Sequence, residues 1–114
     1  MALLPGEIVL VPVPVPFTDL SSYRRRPVIV VSNDAYQVAT VDFVAVAMTS
    51  NMKDEPHSFE ITSADLVVGK LNHPGRVRVD KIYTLAQSIV VAHFARVSDA
   101  VLNRIRSELA ALTS

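Results

Sequence analysis

Three short stretches of the 114-residue chain carry side chains able to hold a phosphate or move a proton. They are Arg24-Arg25-Arg26-Pro27, Thr49-Ser50-Asn51 and Arg76-Val77-Arg78-Val79-Asp80, the last followed by Lys81. An arginine presents a fork of donors that matches a phosphate and stays charged at ordinary pH. Arg26 is the most constrained of its triplet, because Pro27 biases it toward an extended backbone and so sets it at the entrance to a strand. Thr49 and Ser50 offer hydroxyls that can orient a phosphate or another hydroxyl. With a period of two, Arg76, Arg78 and Asp80 share one strand face while Val77 and Val79 face a core. Two cations and a carboxylate on one face make an acid–base and phosphate-clamping surface.

Read alone, each stretch also has an ordinary explanation. Three adjacent arginines form a solvated basic loop, and they cannot all point one way. Hydroxyls at a strand end terminate a sheet through local hydrogen bonds. Arg76, Arg78 and Asp80 can form a surface ion-pair ladder worth only about 0–1 kcal/mol.

Composition narrows the chemistry. Half of the residues are hydrophobic and 19% are charged, enough apolar mass for one core in one domain, residues 1–114. Eleven basic residues balance eleven acidic ones, which argues against a protein that coats nucleic acid through global charge. Eight of the eleven are arginines, so a locally basic site remains open. There is no cysteine, which removes thiolate nucleophiles, disulfides and Cys-type metal centres and fits a reducing compartment. His57, His73 and His93 lie 16 and 20 residues apart, with no helical or strand spacing that pairs them as metal ligands. The N-terminus lacks the signal-peptide pattern, and no window approaches the ~20 apolar residues of a spanning helix. The expectation is a soluble, cytoplasmic protein with no membrane partner, no metal and no cofactor.

The elements that must position these residues are mostly strands. Ile8, Val9, Leu10, Val11 and Val13 form a β-branched-rich run, and Pro12, Pro14 and Pro16 alternate from its end onward, removing donors from one edge only. That segment is predicted as an edge, a bulge or an exit into a loop. Thr18 to Arg26 reads as a polar turn, Pro27 to Ser32 as a strand, and Asn33-Asp34 as the start of a loop. Phe43 to Met48 is apolar on both faces, as a buried strand is. Asn51 to His57 is a charged connection and Ser58 to Ile61 a short strand. Thr62 or Ser63 caps a helical turn through Val67, closed by Gly69. Arg76 to Asp80 and Ser88 to Val97 are the last strands. Ser98 then caps a helix whose stripe is Val101, Leu102, Ile105, Leu109 and Leu112. Short strands followed by one helix predict a mainly β fold with some α, a small barrel or strongly curled sheet carrying a C-terminal helix.

In combination these motifs resemble the MazF/PemK (Kid) toxins of bacterial toxin–antitoxin pairs. The resemblance is carried by Gly6-Glu7-Ile8-Val9, Pro16-Phe17-Thr18-Asp19-Leu20, Arg26-Pro27-Val28-Ile29-Val30-Val31-Ser32, Thr49-Ser50 and Val77-Arg78-Val79-Asp80-Lys81, with the closing helix, from about Gly6 to Leu112. One departure is an extra Val-Pro dipeptide within Val11–Pro16, which preserves strand facing and predicts a longer first loop or bulge.

The resemblance implies an SH3-like β-barrel of the CcdB/MazF type and a compact homodimer. It implies a sequence-specific endoribonuclease that cuts single-stranded RNA, often mRNA, without metal. The products are a 2′,3′-cyclic phosphate and a free 5′-hydroxyl. By the same resemblance Arg26 matches the catalytic arginine before proline and Thr49 the catalytic threonine. Arg78 and Asp80 match an arginine–aspartate pair with acid and base roles. The Kid-like branch also uses a histidine in the first long loop, and none lies between Val11 and Arg26. Chemistry agrees with such a reaction, because RNA supplies its own 2′-hydroxyl as nucleophile. Asp80 is the one carboxylate in the three stretches able to accept a proton near neutral pH, provided that Arg76 and Arg78 do not depress its pKa too far.

Bases of single-stranded RNA stack on aromatic rings and arginine planes. Phe17 and Tyr23 are candidates, together with Arg24, Arg25, Ser50, Arg76 and Lys81; Phe43, Phe59 and Phe94 are assigned to the core. An antitoxin partner is implied, with an acidic, initially disordered segment laid across the RNA groove. Two other classes share the fold: a CcdB-like toxin that binds gyrase, and a non-catalytic module that binds RNA or antitoxin. Arg26-Pro27 with Thr49-Ser50 favours the nuclease, since a gyrase poison has no need of a phosphate-cleaving pocket.

Overall fold

The computed structural model describes residues 2–14 and 23–114, and in it the chain folds as β1 (Glu7–Pro14), β2 (Tyr23–Val30), α1 (Asp34–Ala39), β3 (Asp42–Thr49), β4 (Ser58–Ile61), β5 (Leu66–Val68), β6 (Gly75–Ala86), β7 (Ala92–Val97) and α2 (Asp99–Thr113). The seven strands form one sheet in the order β4-β6-β3-β2-β1-β7-β5, with antiparallel neighbours throughout. Its outermost strands, β4 and β5, are successive in the chain and separated only by residues 62–65. Laid flat, six inter-strand steps would hold them about 29 Å apart, whereas so short a link spans at most about 17 Å. The sheet therefore curls into a half-barrel, as the strand pattern predicts.

The curl makes two cores. Inside it, Ile8, Ile29, Val46, Ile61, Val77 and Val97 pack with Val101, Leu102 and Ile105 of α2. On the opposite face Leu3, Val9, Val11, Val28, Val30, Phe43 and Ala45 form a smaller cluster, covered by Leu85, Ile89 and Val90. Ser98 caps α2 by accepting a hydrogen bond from the Val101 N–H. Of the predicted stripe, Val101, Leu102 and Ile105 are buried and Leu109 packs against them, while Leu112 at the open end is exposed. No helix among the described residues is long and apolar enough to cross a membrane.

The prolines behave as their alternation requires. Leu10 accepts from the Val91 N–H on the β7 side (2.9 Å), and the pairing of β1 with β7 ends there. The N–H and C=O of a strand residue point the same way, and the direction alternates along the strand. Pro12 and Pro14 thus turn their missing donors to the side that β7 has vacated, while β1 stays paired with β2 up to Pro14 and Tyr23.

Several boundaries differ from the sequence reading. Tyr23 to Arg26 belong to β2 rather than to a polar turn. The expected loop after Asn33 is α1: Asn33 caps it by accepting from the Tyr36 N–H (2.9 Å), and six residues are too few to display a periodic stripe. Its buried Gln37 is held by Ser32, and Gln87 donates to the carbonyls of Gln37 and Asp42 (2.9 Å each). The expected helical turn through Val67 is a 3-10 turn over Ser63–Asp65 with a Thr62 capping box, after which Leu66 to Val68 pair with β7. Gly69, expected to close that turn, instead follows β5 with φ +81, where a Cβ would collide with the Phe94 carbonyl oxygen. β6 runs on to Ala86, and the segment beginning at Ser88 becomes a strand only at Ala92.

Ile105 has no exposed surface and joins α2 to the inner core. Ile105→Ala is expected to cost about 2–5 kcal/mol in urea unfolding, and a loss below about 1 kcal/mol would contradict that packing role.

Candidate active site

Antiparallel pairing sets Val30 opposite Ala45 and Val28 opposite Ala47, then Ala47 opposite Arg78 and Thr49 opposite Arg76. Directly opposed side chains share a face. One face of β2, β3 and β6 is therefore apolar at the level of Val30 and Ala45 and becomes polar toward Thr49, Arg76 and Arg78. Arg26 lies two residues beyond Val28 on the same strand and so presents to this face; extending the register sets it level with Thr49. It is exposed, as is Arg25, which alternation turns to the opposite face. Tyr23 and Arg24 enter through the backbone of β2, paired with Pro14 and Val13. Phe17 lies outside the described residues.

A bulge in β6 shapes the next part of the site. Val46 pairs with Ile82 but its neighbour Ala47 pairs with Arg78, so Val79, Asp80 and Lys81 are extra residues between them. Val79 turns inward, fully buried, and its N–H donates to the His57 carbonyl (3.0 Å). Asp80 accepts two hydrogen bonds from Arg78, Nε to Oδ1 and Nη2 to Oδ2, each 3.1 Å. Such a fork-to-carboxylate pair is geometrically specific, and bulges commonly re-aim side chains in this way. The hydrogen bond from Arg78 holds the Asp80 carboxyl below the ordinary carboxylate range, and the same bond raises Arg78. Lys81 beside them is exposed.

Thr49 ends β3 half-buried, and its Oγ1 accepts from the Asn51 N–H (3.1 Å). This is the local strand-ending bond that hydroxyls favour. It uses a lone pair and leaves the hydroxyl proton without an acceptor among the described residues. Ser50 is exposed. Arg76 is engaged within the chain. Its side chain is only 11% exposed, its Nε donates to Ser58 Oγ (2.8 Å), and its Nη2 meets the Asp54 carboxylate. Ser58 and Asp54 carry no local sequence signal for this role, since they stand 18 and 22 residues from Arg76. Among the described residues no three His, Asp or Glu side chains gather as metal ligands.

The site thus brings Thr49, Arg76, Arg78 and Asp80 onto one face and presents Arg26 to the same face from β2. Comparisons with known proteins give the family and the fold. Residues 4–113 match the family model described as PemK-like, MazF-like toxin of type II toxin–antitoxin system. Endoribonuclease MazF1 of Mycobacterium bovis is 30% identical over 88 residues, covering 77% of this chain and 78% of that protein. The fold is shared with an endoribonuclease from a mycobacterial species at TM-score 0.75 and 26% identity, over 99% of this chain and 92% of that one. It is shared also with a mycobacterial endoribonuclease in complex with its cognate antitoxin, at TM-score 0.72 and 27% identity, over 98% and 95% of the two chains. With both the family pattern and the fold matched over nearly its whole length, the chain belongs to the PemK-like, MazF-like toxins of type II toxin–antitoxin systems.

Proposed function

We propose that this toxin is an endoribonuclease that cleaves single-stranded RNA at short sequences without metal, leaving a 2′,3′-cyclic phosphate and a 5′-hydroxyl. It acts as a homodimer in the cytoplasm, and an antitoxin restrains it by laying an acidic segment across the same face. The observation that carries the reading is the exposed Arg26 facing the same side as Thr49 and the paired Arg78–Asp80.

In this reaction the 2′-hydroxyl of the RNA attacks the adjacent phosphorus and the bond to the 5′-oxygen breaks. Asp80 takes the 2′-proton. A carboxylate has about four lone-pair sites, and Arg78 occupies two, so acceptance does not require the ion pair to open. Arg26 and Arg78 stabilise the charge that develops on the phosphate oxygens, the electrostatic contribution on which phosphate chemistry chiefly depends. Arg26, open to solvent, stands as clamp and as proton donor through water to the 5′-oxygen. Thr49 donates its hydroxyl proton to orient the phosphate. Phe17, Tyr23, Arg24, Ser50 and Lys81 are the proposed RNA contacts close to this centre, with Arg25 reaching RNA only past the strand edge. The relative solved with its cognate antitoxin supports an antitoxin partner for this chain.

Incubation of the purified toxin with a long single-stranded RNA in excess EDTA tests the reading. Discrete fragments ending in cyclic phosphate are expected, while the 2′-O-methyl strand stays intact; uncut RNA across several sequences would overturn it. Arg26→Ala is expected to lower kcat/KM by at least about a hundredfold with the fold retained, because an exposed side chain carries little packing energy. Wild-type rates in that variant would remove Arg26 from the site. A base works only when deprotonated, and the hydrogen bond from Arg78 holds Asp80 below the ordinary carboxylate range. The acid limb of kcat/KM is therefore expected below that range. A limb near pH 6.5, the ordinary histidine value, would assign the base elsewhere.

A further inference from the structure

The segment between Thr49 and β4 has no regular structure, yet it is tied at both ends by side chains. At its start, Thr49 Oγ1 accepts from the Asn51 N–H and Asn51 Oδ1 accepts from the Lys53 N–H (3.1 Å each). At its end, Ser58 Oγ donates to the Glu55 carbonyl (2.5 Å) and accepts from the Glu55 N–H (3.2 Å) and from Arg76 Nε (2.8 Å). One donor and two acceptor sites are all a serine hydroxyl has, so Ser58 is fully used. Arg76 also reaches Asp54 in the middle of the segment, and in the β3–β6 pairing it stands directly opposite Thr49. The backbone reverses at His57 with φ 56, and its carbonyl is held by the Val79 N–H beside the Arg78–Asp80 pair.

We propose that Ser58 and Arg76 are positioning residues: the Arg76 guanidinium, seated on Ser58 Oγ and Asp54, fixes the 50–57 segment and with it the place of the Thr49 hydroxyl. Arg76 then serves the reaction from inside the chain rather than by touching RNA, which its 11% exposure supports. The proposal rests on the assignment of Thr49 to the site. Displacement of a reacting group by about 1 Å can cost about a hundredfold in rate. The effect of losing the clamp therefore falls on kcat rather than on binding.

The test measures kcat, KM and the affinity for an uncleavable 2′-O-methyl RNA in Thr49→Ala, Ser58→Ala, Ser58→Thr and Arg76→Lys. Ser58→Ala and Arg76→Lys are expected to lose about ten- to hundredfold in kcat with unchanged affinity for the uncleavable RNA, and Ser58→Thr, which keeps the hydroxyl, to recover the rate. If Ser58→Ala does not fold, Arg76→Lys, which keeps the charge but loses the Nε donor to Ser58 Oγ, carries the test alone. Full kcat in Ser58→Ala and Arg76→Lys beside an inactive Thr49→Ala would overturn the clamp and leave the site reading standing. Weakened RNA binding in Arg76→Lys, in proportion to its lost activity, would make Arg76 an RNA contact and overturn it too. Full activity in Thr49→Ala would instead overturn the site reading on which the clamp depends.

Discussion

The four-residue link between β4 and β5 constrains everything else in the molecule. It joins the two outer strands of a seven-stranded sheet, which can meet only if the sheet closes on itself. Closure creates an inside, filled by alternate residues of six strands and plugged by α2. It also leaves the other face of β1, β2 and β3 with its own apolar cluster. The candidate site lies on that second face, where the apolar floor gives way to Arg26, Thr49 and Arg78. The toxin chemistry therefore sits beside packed side chains, on strands whose backbones are fixed by neighbours on both sides.

Within this frame the bulge in β6 does the finer placement. A regular strand would carry Asp80 along the ladder opposite β3, paired to a neighbour across the sheet. Three residues interrupt the ladder instead, while Val79 keeps the inward side that alternation gives it and Asp80 stays on the face of Arg78, within its reach. The resulting ion pair keeps the carboxylate charged across the neutral range and raises the arginine. The arginine thus stays cationic toward an anionic substrate, and the carboxylate stays deprotonated, as the proposed base must. Two arginines of one strand face thus have different partners: Arg78 holds the acid of the site, and Arg76 is turned toward Ser58 and Asp54.

A protein without cysteine can run this chemistry because the substrate carries the nucleophile. What remains for the chain is to hold a phosphate, stabilise its developing charge and move protons, tasks met by guanidinium, hydroxyl and carboxylate groups. The zero net charge fits the same picture, since the cations that matter are few and gathered in one region. Local concentration of arginine also suits the acidic antitoxin segment proposed for this toxin.

Much was legible in the residues themselves. β-branched runs marked the strands, the alternating prolines marked a one-sided edge, Ser98 with its apolar stripe marked α2, and Pro27 placed Arg26 at a strand. These signals act over a few residues and need no partner. α1 was not legible, because its cap resembles a loop start and its single buried side chain is a glutamine satisfied from Ser32, its backbone carbonyl accepting from Gln87. Nor was the length of β6, whose second half is largely exposed and pairs only because β3 lies beside it. The sequence by itself determined which residue types were available for chemistry and which strand faces they shared. Only the tertiary structure decided that Arg78 pairs with Asp80 while Arg76 serves Ser58 and Asp54, because a bulge and contacts across 18 and 22 residues exist only once the sheet has closed.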